Sequence, residues 1–122
     1  MKAGAKEGDR VVASDTHLVS GAAVVVSFEG SLKGELSSNV LSDNRNVATV
    51  GSIAHCTPPH VPPAGKSFDV PPHHRATVVV GSETVLVNDK PYARDGDAAE
   101  TCNDPVDVPV GTVEAAGTVL VG

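Results

Sequence analysis

Aromatic residues are almost missing from this chain, and basic residues are scarce. Phe, Tyr and Trp make up 2% of the 122 residues, and Trp is absent. Because aromatic side chains normally supply much of the buried apolar surface, the predicted core is small and needs additional stabilisation. Nine Lys and Arg against 15 Asp and Glu give a net charge of −6. This balance argues against a nucleic-acid or anionic-membrane partner, because clustered basic residues bind phosphate groups.

Long apolar runs are missing as well. No run of about 18 apolar residues, the length that crosses a bilayer, is present. The first ten residues, MKAGAKEGDR, lack the apolar stretch of a secretory signal. The expectation is a protein made in the reducing cytoplasm. Its two cysteines are then expected to be free thiols or metal ligands, with a disulfide between Cys56 and Cys102 as the alternative.

The residues that are abundant favour short strands. The chain has 22 Val against six Leu and one Ile, with 12 Gly and nine Pro spread along its length. Val is stiff at its first side-chain torsion and suits strands, whereas Gly and Pro interrupt helices and form turns. The composition therefore predicts an all-β fold, and the length predicts a single domain over residues 1–122.

The chain contains an internal repeat. Residues 39–56 (NVLSDNRNVATVGSIAHC) align without a gap to residues 84–101 (TVLVNDKPYARDGDAAET). Each copy predicts a strand, a polar turn, a second strand and a Gly. The predicted turns lie at 43–44 and 88–89, where Asp and Asn tolerate the positive φ of tight hairpins.

A third copy appears when the two ends of the chain are joined. Residues 117–122 (GTVLVG) followed by 1–9 (MKAGAKEGD) align with residues 83–97. The termini are therefore expected to lie side by side at a hairpin turn that has been cut open. Three similar hairpins predict a pseudo-threefold β domain that closes on itself and so protects its sheet edges.

Candidate metal ligands follow the three copies. In each copy a Gly follows the second strand, and one candidate comes six or nine residues after that Gly: His17, His60 or Cys102. Threefold symmetry would direct all three side chains to one axis. Imidazole and thiolate ligands together favour Zn²⁺, which takes four N or S ligands in structural sites. Such an ion would stabilise a chain with so small a core.

The fourth ligand is less determined by the sequence. Cys56 is favoured, because it lies four residues from His60 in a Pro-bounded loop and a thiolate binds zinc strongly. His55, His73 and His74 remain alternatives, as does a site of three protein ligands and one water. Nothing in the chain matches a catalytic motif such as HExxH or Gly-x-Ser-x-Gly, so the chain is predicted not to be an enzyme.

Short strings in the repeats resemble a known motif. AKEGD, NVATVGS and PYARDGD are similar to the Pro-Ala-Ala-Arg motif followed by Gly-Asp, from which PYAR at 91–94 departs at one position. The ordered series DTHLV, LSSNV, ATVGS, TPPHVPPAGKSF, GSETVLVN and ETCNDP resembles a branch of the PAAR-repeat family along nearly the whole chain.

That resemblance implies a site near the point of a cone, with zinc held by three His and one Cys. His17 in DTHLV, His60 in PPHVP and Cys102 in TCNDP match three of the family's ligand motifs. The family's fourth ligand motif is not matched. SGAAVVVSFEG replaces the Pro-rich loop with a His that this branch commonly carries after DTH. Cys56 stands where the branch more often has Asn, so a change to Cys could replace the missing His.

The resemblance also implies a mechanical function. Family members are conical β domains whose base sits on a homotrimeric spike, one tip per trimer, in type VI secretion systems and phage-tail-like particles. The expected chain is a monomer on its own that is assembled into the particle and delivered outside the cell on contraction. It pierces the target membrane rather than binding it stably, and effector cargo is a further candidate partner.

Two rival functions belong to other classes. A zinc-dependent hydrolase would use three protein ligands and leave the fourth position to water. A small β adaptor or carbohydrate-binding module would present exposed aromatic residues, of which this chain has too few. The hydrolase would also need a pocket and a nearby base, which a narrow cone of small residues is not expected to offer.

Overall fold

The computed structural model describes all 122 residues and contains twelve strands and no helix. The strands are β1 (Lys2–Ala3), β2 (Arg10–Val19), β3 (Ala22–Gly34), β4 (Leu41–Ser42), β5 (Arg45–Asn46), β6 (Ile53–Cys56), β7 (Arg75–Val78), β8 (Leu86–Val87), β9 (Lys90–Pro91), β10 (Ala98–Thr101), β11 (Val108–Glu114) and β12 (Leu120–Val121). No helical segment with the length and apolarity to cross a bilayer is found. The all-β prediction is confirmed.

Six of the strands form one closed antiparallel sheet. Their order is β10-β11-β2-β3-β6-β7, after which β7 pairs again with β10. The longest pairing is the β2–β3 hairpin, which runs from Arg10 opposite Ser31 to Val19 opposite Ala22. Its two turn residues have φ values of 51° and 77°, as two-residue turns of the I′ type require. Because β7 pairs with β10, the sheet closes on itself, as the repeat predicted.

The remaining strands form three small hairpins, β4–β5, β8–β9 and β12–β1. The predicted turns at 43–44 and 88–89 both have positive φ, at 50° and 64° in the first and 51° and 67° in the second. The third hairpin has no turn, because it joins the two ends of the chain, with Lys2 opposite Val121. The prediction that the termini lie side by side is confirmed.

A ring of backbone hydrogen bonds joins the three repeats. The amide of Ala5 donates to the carbonyl of Ala93 (2.8 Å), that of Ala48 to Ala5 (2.9 Å) and that of Ala93 to Ala48 (3.0 Å). All three alanines are fully buried, and they occupy the same position in the three aligned copies. The ring therefore encircles a common axis and gives the fold its pseudo-threefold symmetry.

Apolar side chains pack in two clusters. The larger includes the alanine ring and the inward residues of the closed sheet, among them Phe28 and Leu32. The smaller lies among the three hairpins and consists of Val47, Val87, Tyr92 and Val121. At Gly4 an added Cβ would come within 2.7 Å of the Tyr92 ring. The Tyr92 ring therefore fills the space that a side chain at position 4 would need.

Candidate metal centre

Strand β2 carries two polar residues into the interior of the closed sheet. Its burial alternates, and Asp15 and His17 lie on the inward face with exposures of 0% and 1%. Residues two apart on a strand share a face, so the two side chains point the same way. Cys102 directly follows β10, and His60 follows β6 in the Pro-rich loop. The chain therefore brings these residues to the end of the sheet opposite the hairpins.

Four buried side chains form a compact cluster: Asp15, His17, His60 and Cys102. One ligand atom from each lies within 4.8 Å of all the others. The Cys102 Sγ is 3.8 Å from His17 Nε2 and 3.7 Å from Asp15 Oδ2. Ligand atoms around tetrahedral zinc lie roughly 3.3–3.8 Å apart. The two distances from Cys102 Sγ lie within this range, and the cluster, with its mixed N, S and O donors, could hold a metal ion.

Surrounding polar groups orient the Asp15 carboxylate. Its Oδ1 accepts hydrogen bonds from the Thr101 hydroxyl and from Asn103 Nδ2. Its Oδ2 lies 2.9 Å from His60 Nε2. None of these partners is a Lys or Arg. Because a buried carboxylate is costly unless it is paired with positive charge, a cation in the cluster would offset that cost.

The second ring nitrogen of His17 supports the same conclusion. Its Nδ1 is buried and makes no hydrogen bond, yet it lies 3.5 Å from Asp104 Oδ2. That carboxylate oxygen accepts from the Leu18 amide at 2.8 Å, which holds it in place. A metal-bound imidazole usually presents its other nitrogen to a carboxylate. His17 is therefore placed to bind through Nε2 with Asp104 behind it.

Cys56 lies beside the cluster rather than within the group of four. Its Sγ is 3.9 Å from His60 Nδ1, whereas the Nε2 of the same ring faces Asp15. The two cysteines are free, so no disulfide joins them. One imidazole ligates an ion through one nitrogen, so an ion at His60 Nε2 would lie beside Asp15 and an ion at Nδ1 would lie beside Cys56.

The other three histidines lie further from the four-residue cluster. His55 and His73 are exposed, and His73 pairs with Asp107 at 2.9 Å between Nε2 and Oδ2. His74 is partly buried, and its Nδ1 accepts a hydrogen bond from the His60 amide at 3.2 Å. Burial, followed by the nearby His60, lowers the pKa of His74. His74 therefore supports the loop that carries His60.

Asp15 is not among the ligands predicted from the sequence, because only His and Cys residues follow the three repeats at similar offsets. The two-residue spacing between Asp15 and His17 could have identified it. Asp15 and His17 are two residues apart in a strand with alternating burial, so an inward His17 implies an inward Asp15.

The Cys102 thiol makes the stability of the chain depend on pH. Burial, and then the Asp15 charge, raise its pKa from 9.0 to about 11. The unfolded chain therefore loses this proton first, and the thiol's contribution is present below pH 9 and lost as the pH rises through about 11. With a chelator present, we expect the urea concentration at the unfolding midpoint to decrease as the pH rises from 9 to about 11. Cys102→Ala should show a smaller fall, and an equal fall would contradict this assignment.

A profile of the PAAR motif matches residues 11–106, which is most of the chain. A search of proteins with curated functions returned no significant match. Members of the matched family are structural spike-tip components of contractile injection systems. The closed pseudo-threefold fold and the buried His, Cys and Asp cluster agree with that match. This chain belongs to the PAAR-motif family.

Proposed function

We propose that this chain is the membrane-piercing tip that caps and sharpens the trimeric β-helical spike of a contractile injection system, one tip per trimer. The observation that carries the proposal is the ring of hydrogen bonds through Ala5, Ala48 and Ala93. A single chain with three similar sectors can match the three identical subunits of a spike. Family membership supplies the spike as the partner.

The fold suits a mechanical role. The closed sheet pairs its strands all round, and residues near both termini are held in one hairpin. We treat residues 1–122 as one domain for the same reason. A tip needs rigidity to concentrate force on a small area, and it needs no catalytic turnover. We further propose that the chain is assembled into the particle and carried out of the cell on contraction.

We propose that zinc is held by His17, His60 and Cys102, with Asp15 as the fourth ligand. All four are at most 7% exposed. The ion would cross-link β2, the Pro-rich loop and the segment after β10, three parts of the chain that are far apart in sequence. Cys56, which the sequence favoured, is the rival fourth ligand because of its position beside His60.

Cobalt substitution distinguishes the two candidates. Tetrahedral Co²⁺ bound by thiolates shows a charge-transfer absorption whose intensity grows with the number of thiolates. We expect the Co²⁺ protein and its Cys56→Ser variant to show the same band, and Cys102→Ser to lose it. A band halved by Cys56→Ser would establish Cys56 as a ligand and remove Asp15 from the set. The comparison does not require an Asp15 variant to fold.

The hydrolase rival lacks support from the site. A catalytic zinc keeps a position open to water and substrate. Here the four side chains are buried, and of the four only His60 also lines a surface cavity. A structural site closed by protein ligands agrees better with this burial.

Reporter delivery tests the proposed role. Deleting the chain from a strain that assembles the particle is expected to abolish contraction-driven delivery into target cells, and the wild-type chain should restore it. Undiminished delivery by the deletion strain would contradict a role as the tip.

A further inference from the structure

Three leucines are exposed at matching positions of the three hairpins. Leu41 in β4 and Leu86 in β8 are each 59% exposed, and Leu120 in β12 is 58% exposed. Single exposed apolar residues are common on protein surfaces and need no explanation. Three that occupy the same position of a repeat, with almost the same exposure, form a symmetric set. We refer to Leu41, Leu86 and Leu120 as the leucine triad.

The hairpins hold the triad outward. In each two-residue strand the residue after the leucine is buried: Ser42 (4%), Val87 (6%) or Val121 (3%). Because successive residues of a strand point to opposite faces, the leucines point away from the interior. The smaller apolar cluster lies behind them and fixes the strands. The triad is therefore presented by a rigid frame rather than by loops.

The residue directly opposite each leucine carries no charge. The residues opposite the leucines across each hairpin are Asn46, Pro91 and Ala3. Cross-strand partners share a face of the hairpin, so each leucine has an uncharged neighbour. Three exposed leucines with uncharged cross-strand partners in equivalent places favour an apolar contact. They lie at the end of the fold opposite the metal cluster.

We propose that the leucine triad is the contact through which the chain docks on its spike, and that the spike end carries three identical apolar sites around its threefold axis. This inference rests on the proposed function. The pseudo-threefold arrangement favours this occupant, because a threefold partner engages all three leucines at once. Three contacts on one rigid frame also act together, so removing all of them is expected to weaken binding far more than removing one.

The test uses a matched pair of triple variants and the purified trimeric spike of the same injection system. The first variant is L41S/L86S/L120S. The control is V25S/V70S/V106S, which makes the same kind of change at residues 70%, 59% and 64% exposed outside the three small hairpins. We expect the triad variant to bind the spike about 1,000-fold more weakly than wild type, at about tenfold per buried leucine. The control should bind within about threefold of wild type.

The outcomes separate this inference from the function on which it rests. Circular dichroism and zinc content should be unchanged in both variants, which verifies the fold. If the wild-type chain does not bind the spike, the proposed function is wrong. If the triad variant binds like wild type, the function stands and this inference is wrong. The inference is also wrong if the triad variant loses only self-association of the chain, because the occupant is then a second copy.

Discussion

Replacing Cys102 with Ser is expected to abolish zinc binding and to lower the free energy of unfolding by about 4 kcal/mol or more. That value is the linkage free energy of a ligand present at about 1,000 times its dissociation constant. The physical reason is that the four ligand atoms lie within 4.8 Å of one another only in the folded chain. Zinc binding therefore adds directly to folding stability. Urea unfolding in excess free zinc, at about 1,000 times its dissociation constant, measures the loss.

Two controls accompany this prediction. A chelator should lower the stability of the wild-type chain to that of Cys102→Ser and leave the variant unchanged, because both then lack the ion. Cys56→Ser should retain one zinc and most of the stability, since Cys56 lies outside the proposed set. A Cys102→Ser variant that still binds one zinc with wild-type stability would show that the ion is not held at this cluster.

The packing of Gly4 against Tyr92 is expected to show strong energetic coupling. The aligned positions 4, 47 and 92 hold Gly, Val and Tyr, so one large and one small residue share the space around the axis. Gly4→Val should clash with the Tyr92 ring and cost about 2–3 kcal/mol, and Tyr92→Val should leave a cavity and cost about 2–4 kcal/mol. The double variant would place Val at all three positions. Its loss of unfolding free energy should be at least about 2 kcal/mol smaller than the sum of the two single losses.

Tyr92→Phe is the matched control for this cycle. The Tyr92 hydroxyl is buried and forms no hydrogen bond of normal geometry; burial raises the pKa of Tyr92, and the nearby Ser42 side chain lowers it by less. Removing that hydroxyl keeps the ring in place, so stability should stay the same or rise slightly. Equilibrium unfolding in urea at a fixed zinc concentration measures all four variants. Additive losses in the double variant would mean that the two residues do not share one space.

The symmetry of the fold could be predicted from the sequence because the three copies of the repeat align without gaps. The alignment that joins both ends of the chain places Ala5, Ala48 and Ala93 in register, and these alanines form the hydrogen-bonded ring. The same alignment predicted adjacent termini, which β1 and β12 confirm. Tight turns also have a local cause, since Asp and Asn tolerate positive φ.

The candidate site was predictable only in part. The spacing after each repeat singled out His17, His60 and Cys102, and these three do come together. The orientation of Asp15 could not be deduced in the same way, because Thr101 and Asn103 hold its carboxylate from a distant part of the chain. Likewise, whether Cys56 faces His60 Nδ1 or the centre of the cluster depends on the path of the Pro-rich loop. Such choices are made by tertiary contacts, which spacing does not encode.

The mass of the assembled tip and spike, measured by native mass spectrometry, tests the central claim most directly. A zinc-stabilised, pseudo-threefold tip predicts a complex of one copy of this chain, three spike subunits and one zinc ion. A complex with three copies per trimer, or a tip that binds the spike without any metal, would contradict it.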